Sequence, residues 1–182
     1  VQIKDCQSAS FEELGLTMVT DLAEIARLDE AKQLENEHFY YFLKGWNPTR
    51  LDQHVHQLYK DVSAAIDCRT CGNCCRSFQV QVEASDIEPL ANRLGISNDD
   101  LQSTYLERNT EGWQVSKSPC HFLSGNECTV YDQRFTDCRS FPHLDKPHFQ
   151  GRLLTVFITY SHCPIVFNVI EQLKEKLGFN NF

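Results

Sequence analysis

The stretch Cys68-Arg69-Thr70-Cys71-Gly72-Asn73-Cys74-Cys75 places four thiols in eight residues, and no other feature of this chain limits its fold so strongly. Cys120, Cys128, Cys138 and Cys163 follow, while Cys6 stands apart near the start; together they are the nine cysteines of a 182-residue chain. Disulfide scaffolds serve chains of fewer than ~80 residues that lack a core. With 41% hydrophobic and 23% charged residues this chain is long enough to bury one. A C-x-x-C turn also aims two sulfurs at one point, which suits an ion better than a disulfide. Metal ligation is therefore expected, and with it a reducing compartment, most simply the cytoplasm.

Zinc and iron-sulfur clusters both take four thiolates. Cys68, Cys71 and Cys74 carry the two-residue spacing of a ferredoxin run, and Cys163-Pro164 echoes the Cys-Pro that ends one. Neighbouring side chains usually point apart, which assigns Cys74 and Cys75 to different sites. Eight cysteines then form two groups of four, for two zinc ions or for one cluster plus one ion, and the division between groups is open at this point. Gly125-Asn126 is expected to reverse the chain so that Cys120 and Cys128 approach each other. Arg134 and Arg139 flank Cys138; they either offset the charge of a thiolate site or pair with Asp132 and Asp137. Gly72 is expected at a positive φ. His54 and His56 are expected in solvent, and His121, His143 and His162 are weaker candidates for a mixed site.

Seventeen Lys and Arg against 25 Asp and Glu give a net charge of -8, which leaves no basic surplus for a phosphate backbone. Neither nucleic acid nor a membrane is expected as a partner: no apolar run approaches the ~20 residues of a span. The chain opens on Val1, which leaves room for a leader removed before it. Phosphate-loop, dinucleotide, serine-hydrolase and zinc-protease signatures do not occur.

Periodicity predicts one helix from Thr20 to Leu43 with Leu22, Ile25, Leu28 and Leu34 inward, and a second from Asn47-Pro48 to Ala65 with Leu51, Val55, Leu58, Val62 and Ile66 inward. The two are expected to pair and cover the cysteine-rich part. Residues 78–82, 113–115 and 153–160 read as strands. Ser85 with Glu88 and Ser97 with Asp100 read as helix starts, Gly95 as a stop, and Pro164 to Gly178 as a final helix. The expected fold is α+β, mainly helical, with small strands and metal-tied irregular loops. A helical extension over 1–60 is expected to pack on a metal-binding domain over 61–182.

These cysteine motifs, with P-C-H-F-L-S-G-N-E-C-T-V-Y-D-Q-R, D-C-R-S-F-P and C-P, resemble the YkgJ-type cysteine-cluster family, the CxxCxxCC zinc- or iron-chelating domain. The resemblance covers about residues 66–175. It implies that Cys68, Cys71, Cys74, Cys75, Cys120, Cys128, Cys138 and Cys163 are metal ligands and that Cys6 is not. Phe135 and His121 stand where the family pattern has proline. A longer relative, flagellin lysine N-methylase, transfers methyl groups from S-adenosylmethionine, an activity not carried to a chain of this length. The function expected is metal binding, by zinc at two sites or by an iron-sulfur cluster. The alternative is an iron-sulfur enzyme, methyltransferase-like or redox, with Phe39 to Phe42 and Trp113 as candidate pocket walls. A third reading makes the N-terminal helices a docking module for a protein partner.

Overall fold

The computed structural model describes residues 18–179; Cys6 lies outside them. Among the described residues three helices come first, α1 (Leu22–Ala31), α2 (Gln33–Lys44) and α3 (Pro48–Ala65). Where one helix was expected over 20–43, the chain breaks at Lys32, whose φ of -105° and ψ of 11° leave the helical region. No Gly or Pro causes this break. The pull is tertiary: the Lys32 ammonium pairs with Glu171, and one turn later Glu35 and Asn36 receive Lys174. The buried face of α2 is Asn36, Phe39 and Leu43. Leu34 sits on the opposite side and is 66% exposed, contrary to expectation. In α3 the sequence reading holds: Asn47 accepts the Arg50 amide at 3.0 Å, Pro48 opens the helix, and Leu51, Val55, Leu58 and Val62 are buried.

The middle of the chain is short-ranged. Its elements are α4 (Asn73–Ser77), β1 (Gln81–Val82), α5 (Ala84–Leu94), α6 (Asn98–Tyr105), β2 (Leu106–Arg108), β3 (Trp113–Val115), β4 (Leu123–Ser124), β5 (Glu127–Cys128) and α7 (Thr136–Ser140). The strand expected over 78–82 survives only as its last two residues. β1, β3 and β2 form an antiparallel sheet in that order, with Val82 opposite Trp113 and Leu106 opposite Val115. β4 and β5 form a hairpin around Gly125, where φ is +59°. Ser97 caps α6 through the Asp100 amide, and Gly95 ends α5 at φ +70°, as expected. The start of α5 is displaced: Glu83 caps it and Asp86, not Glu88, reaches back to the cap amide at 3.3 Å. Ser85 falls inside the first turn.

Two helices close the chain, α8 (Leu153–Tyr160) and α9 (Pro164–Lys176). Residues 153–160 were expected as a strand because the run is β-branched and aromatic. They form a helix because Leu153, Val156 and Tyr160 lie on one helical face and are buried, while Leu154 and Ile158 face out. Burial of that face outweighs the β propensity. Tyr160 meets Phe167 of α9 with ring centroids 4.9 Å apart.

Among the described residues, buried side chains form two clusters. The first joins α1, α2, α3, α8 and α9; the second joins α5, α6, the three-stranded sheet, Phe122, Val130 and Phe135. Cys163 belongs to the first, and Cys120, Cys128 and Cys138 pack against the second. The fold is α+β and mainly helical with small antiparallel strands. No described helix is long and apolar enough to cross a membrane.

Candidate metal centre

The first four thiols are carried by two short local turns of the chain. Asp67 opens a 3₁₀ turn over Cys68–Thr70 and neutralises Arg69 within it through three side-chain contacts, the shortest at 2.7 Å. Gly72 follows at φ +62°, as expected, and starts the short helix that carries Cys74 and Cys75. A β-carbon added at Gly72 would lie 2.6 Å from the Asn126 carbonyl oxygen. Gly72 thus allows the first cysteine knuckle to press against the turn between Cys120 and Cys128. Arg76 clamps the same contact, donating to the carbonyls of Cys71 (3.1 Å) and Gly125 (2.5 Å) and to the Asn126 side-chain oxygen (2.6 Å). Gly72→Ala is therefore expected to lose about 2–4 kcal/mol, from the left-handed backbone together with the clash. Thermal unfolding of the variant measures this, and a change below 0.5 kcal/mol, a value taken as about the surface-substitution range, would contradict it.

The second half of the set rests on a buried carboxylate. Asp86 accepts the Thr136 amide (3.0 Å), the Thr136 hydroxyl (2.7 Å) and the Arg139 guanidinium (3.0 Å), which fixes the start of α7 and so Cys138. Arg139 is thereby paired with Asp86, and Arg134 lies over the Tyr131 ring at 3.9 Å. Asp137 instead meets His143 at 3.3 Å. The sequence offered Asp132 and Asp137 as partners because they are near in the chain; Asp86 is near only in space. Phe135, one of the departures from the family pattern, is buried in the second cluster beside Phe122.

The thiols face a cavity of about 250 Å³ where the two clusters meet. Cys68, Cys71, Cys74 and Cys75 line one part, Cys128 and Cys138 another, and Cys163 enters from the head of α9. Cys120 lies behind this lining, yet its amide donates to the Cys75 carbonyl at 2.8 Å. Of the first two expected helices only α3 reaches the cavity, through Tyr59 and Ser63; α2 does not cover it. Phe39 and Phe42 belong to the first cluster and Trp113 to the sheet, so the aromatic walls are instead Tyr59, Phe78, Tyr131 and Phe141.

Burial and mutual repulsion sort the thiols. Burial first, and then Cys75, Cys120, Asp137 and Cys128, push the Cys138 thiol up to about 12. Burial raises Cys120 and Cys128, and Cys75 raises both further. Each of these two is offset by an amide two residues on, from Phe122 and Val130. Cys75 is raised far above the usual thiol range, by its hydrogen bond with Cys74, by burial and by the Cys74 charge. Cys163 is pushed to about 11 by burial, against the α9 amides of Val166 and Ile165; its thiol neighbours are Cys71 and Cys68. Helix-end amides aimed at sulfur favour the thiolate.

Of the histidines, only His162 lines the cavity, with Nδ1 against the Ser161 hydroxyl at 2.9 Å. His121 meets Ser116 at 2.8 Å and His143 meets Asp137. His54 and His56 are half-buried rather than exposed, against Trp46 and the Lys146 carbonyl respectively. Among the described residues no three Cys, His, Asp or Glu side chains already close on one point at ligating distance. The sulfurs ring a space rather than grip it. The donors are nonetheless those of a thiophilic ion, since thiolates select zinc or iron-sulfur chemistry over hard cations, and the group fits.

Fold and site together define a cysteine-rich domain whose thiols line a cavity between two apolar clusters. Residues 67–156 match the family model described as "CxxCxxCC: Putative zinc- or iron-chelating domain". Cys163 lies beyond the matched residues. Neither a curated protein nor a solved structure matches the chain.

Proposed function

We propose that this chain binds two thiophilic metal ions, with Cys75, Cys120, Cys128 and Cys138 holding one and Cys68, Cys71, Cys74 and Cys163 the other. The observation that carries this reading is the lining of one cavity by seven of the thiols, with the eighth, Cys120, tied to it through the Cys75 carbonyl at 2.8 Å. Cys138, Cys120 and Cys128 each feel Cys75, whereas Cys163 feels Cys71 and Cys68. Cys74 is the joint between the groups: its sulfur lies 4.0 Å from that of Cys75. Ligands of one tetrahedral ion with bonds near ~2.3 Å stand about 3.8 Å apart, so the spacing alone would suit a shared ion. The neighbours of Cys75, which are Cys120, Cys128 and Cys138, support two adjoining sites instead.

Zinc is the ion proposed for a sample prepared in air, because it has no redox change and no preferred distortion. A second reading has its own observation. The approach of Cys163-Pro164 to Cys71 and Cys68 rebuilds in space the set a ferredoxin run supplies in sequence, so an iron-sulfur cluster at that group is the alternative. Metal analysis and an absorption spectrum after anaerobic purification under reducing conditions test both. Two zinc ions per chain and no visible absorption are expected. Charge-transfer absorption with iron replaces zinc by a cluster, and absence of both metals overturns the reading. Cys120→Ser and Cys163→Ser are each expected to lower the content from two ions to one.

The role proposed is that of a chelating protein of a reducing compartment, in the manner of YkgJ-type proteins. Nothing in the proposal requires nucleic acid or a membrane.

A further inference from the structure

The two thiol groups differ in what surrounds them. In the first, burial runs in a gradient. Cys68 is exposed, Cys71 and Cys74 are intermediate, and Cys163 is 7% exposed at the head of α9. Cys68 sits on a turn between the end of α3 and the start of α4, in which the Arg69 guanidinium donates to the Asp67 carboxylate and the Thr70 hydroxyl to the Asp67 carbonyl. As the one exposed thiol of the eight, it is the one that an incoming ligand reaches first. In the second group no thiol is exposed. Cys120 is tied to the Cys75 carbonyl, Cys128 is paired with Leu123 in the hairpin, and Cys138 rides on the helix held by Asp86. Opening that group means breaking the hairpin or the Asp86 anchor.

Building on the reading of two adjoining sites, we propose that the ion of Cys68, Cys71, Cys74 and Cys163 is the exchangeable one, and that it passes to and from thiol-bearing carriers by ligand substitution at Cys68. The incoming sulfur forms a bond to the ion, the bond to the Cys68 sulfur breaks, and the proton of the incoming thiol ends on Cys68. No electron is transferred. Tyr131 is placed to assist through its hydroxyl, because it lines the same cavity as Cys68 and its ring is held under Arg134. A hydrogen bond from this hydroxyl stabilises the Cys68 thiolate as it leaves, since bonds to charged acceptors are the stronger ones. Tyr131 is thus a positioning residue for exchange, while the Cys75 group keeps the second ion and the fold.

The test uses the full chain loaded with two zinc ions, confirmed by metal analysis. Brief alkylation with iodoacetamide and peptide mass mapping should label Cys68 on the order of tenfold faster than Cys120, Cys128, Cys138 or Cys163. Zinc transfer to a chromophoric chelator should resolve into two steps of one ion each. The faster should rise with the concentration of added thiol and slow several-fold in Tyr131→Phe, the slower being unchanged. Reduced glutathione and a reduced Cys-x-x-Cys peptide are compared at equal thiol concentration. Faster transfer with the peptide identifies a protein carrier, and equal rates identify a small thiol. Release of both ions at one rate, or protection of Cys68 equal to that of Cys138, overturns the inference while leaving the two-ion reading intact. Failure to load zinc overturns the two-ion reading first.

Discussion

Stripping metal from the reduced chain is expected to unfold the second cluster well below the temperature at which the first one melts. The second cluster is built from strands of two or three residues and from helices no longer than the eleven residues of α5. Three of the partly buried side chains packed against it are the thiols of Cys120, Cys128 and Cys138. Ligation ties these elements together, and structural zinc contributes about 10 kcal/mol or more of apparent binding free energy, comparable to the whole stability of an ordinary domain. The first cluster has the eighteen residues of α3 against the thirteen of α9 and needs less help. The two tryptophans divide the readout, since Trp46 packs against the first cluster and Trp113 against the second. In single-tryptophan variants, chelator should shift the Trp113 transition by tens of degrees, about what a loss of 10 kcal/mol implies for a domain of this size. The Trp46 transition should move far less. Unchanged melting at Trp113 after verified metal removal would show that apolar packing alone holds the cysteine loops.

Lys174→Ala should be among the most damaging single substitutions outside the cysteines. The ammonium of Lys174 is buried, 5% exposed, and donates to Glu35 (2.8 Å), Asn36 (2.6 Å) and Glu171 (2.7 Å). Tyr160 adds a hydroxyl bond to Glu171 at 2.8 Å, and burial pushes its own ionisation upward. Removing one member of a buried pair costs about 3–5 kcal/mol because the opposite charge is left without compensation. Lys32 still pairs with Glu171, which holds the loss near the lower end, about 3 kcal/mol. A fall of about 6–12 °C in the melting temperature follows for a chain of this length. The loss should shrink in a Glu35→Gln, Glu171→Gln background, where no uncompensated carboxylate remains; an equal loss in both backgrounds would assign the effect to the contacts of the ammonium with the Phe39 and Tyr160 rings instead.

Which elements could be read ahead of the structure follows from how local their causes are. α3 and α9 start at Asn47-Pro48 and Cys163-Pro164, where the prolines fix φ at the first helical position. Their apolar spacing repeats over many turns. α8 was misread because eight residues are too few for a period to outweigh Val, Ile and Thr. Its helical state depends on α9 lying alongside to receive Leu153, Val156 and Tyr160. Asp86 gave no signal as an anchor, since its partners Thr136 and Arg139 lie about fifty residues away. Arg76 could have been suspected only from its place directly after the cysteine run.

The positions and donor chemistry of the eight motif cysteines, the metal class they suit, and the caps and stripes of the long helices are properties of the sequence by itself, because each rests on residue type or on spacing within a few turns. Tertiary structure decided which thiols are neighbours. Cys163 comes to Cys71 and Cys68 because α9 packs on α3, and Cys138 comes to Cys75 because Asp86 holds α7 against the start of α5. Both pairings cross tens of residues of chain, and only the burial of apolar faces elsewhere brings those residues together.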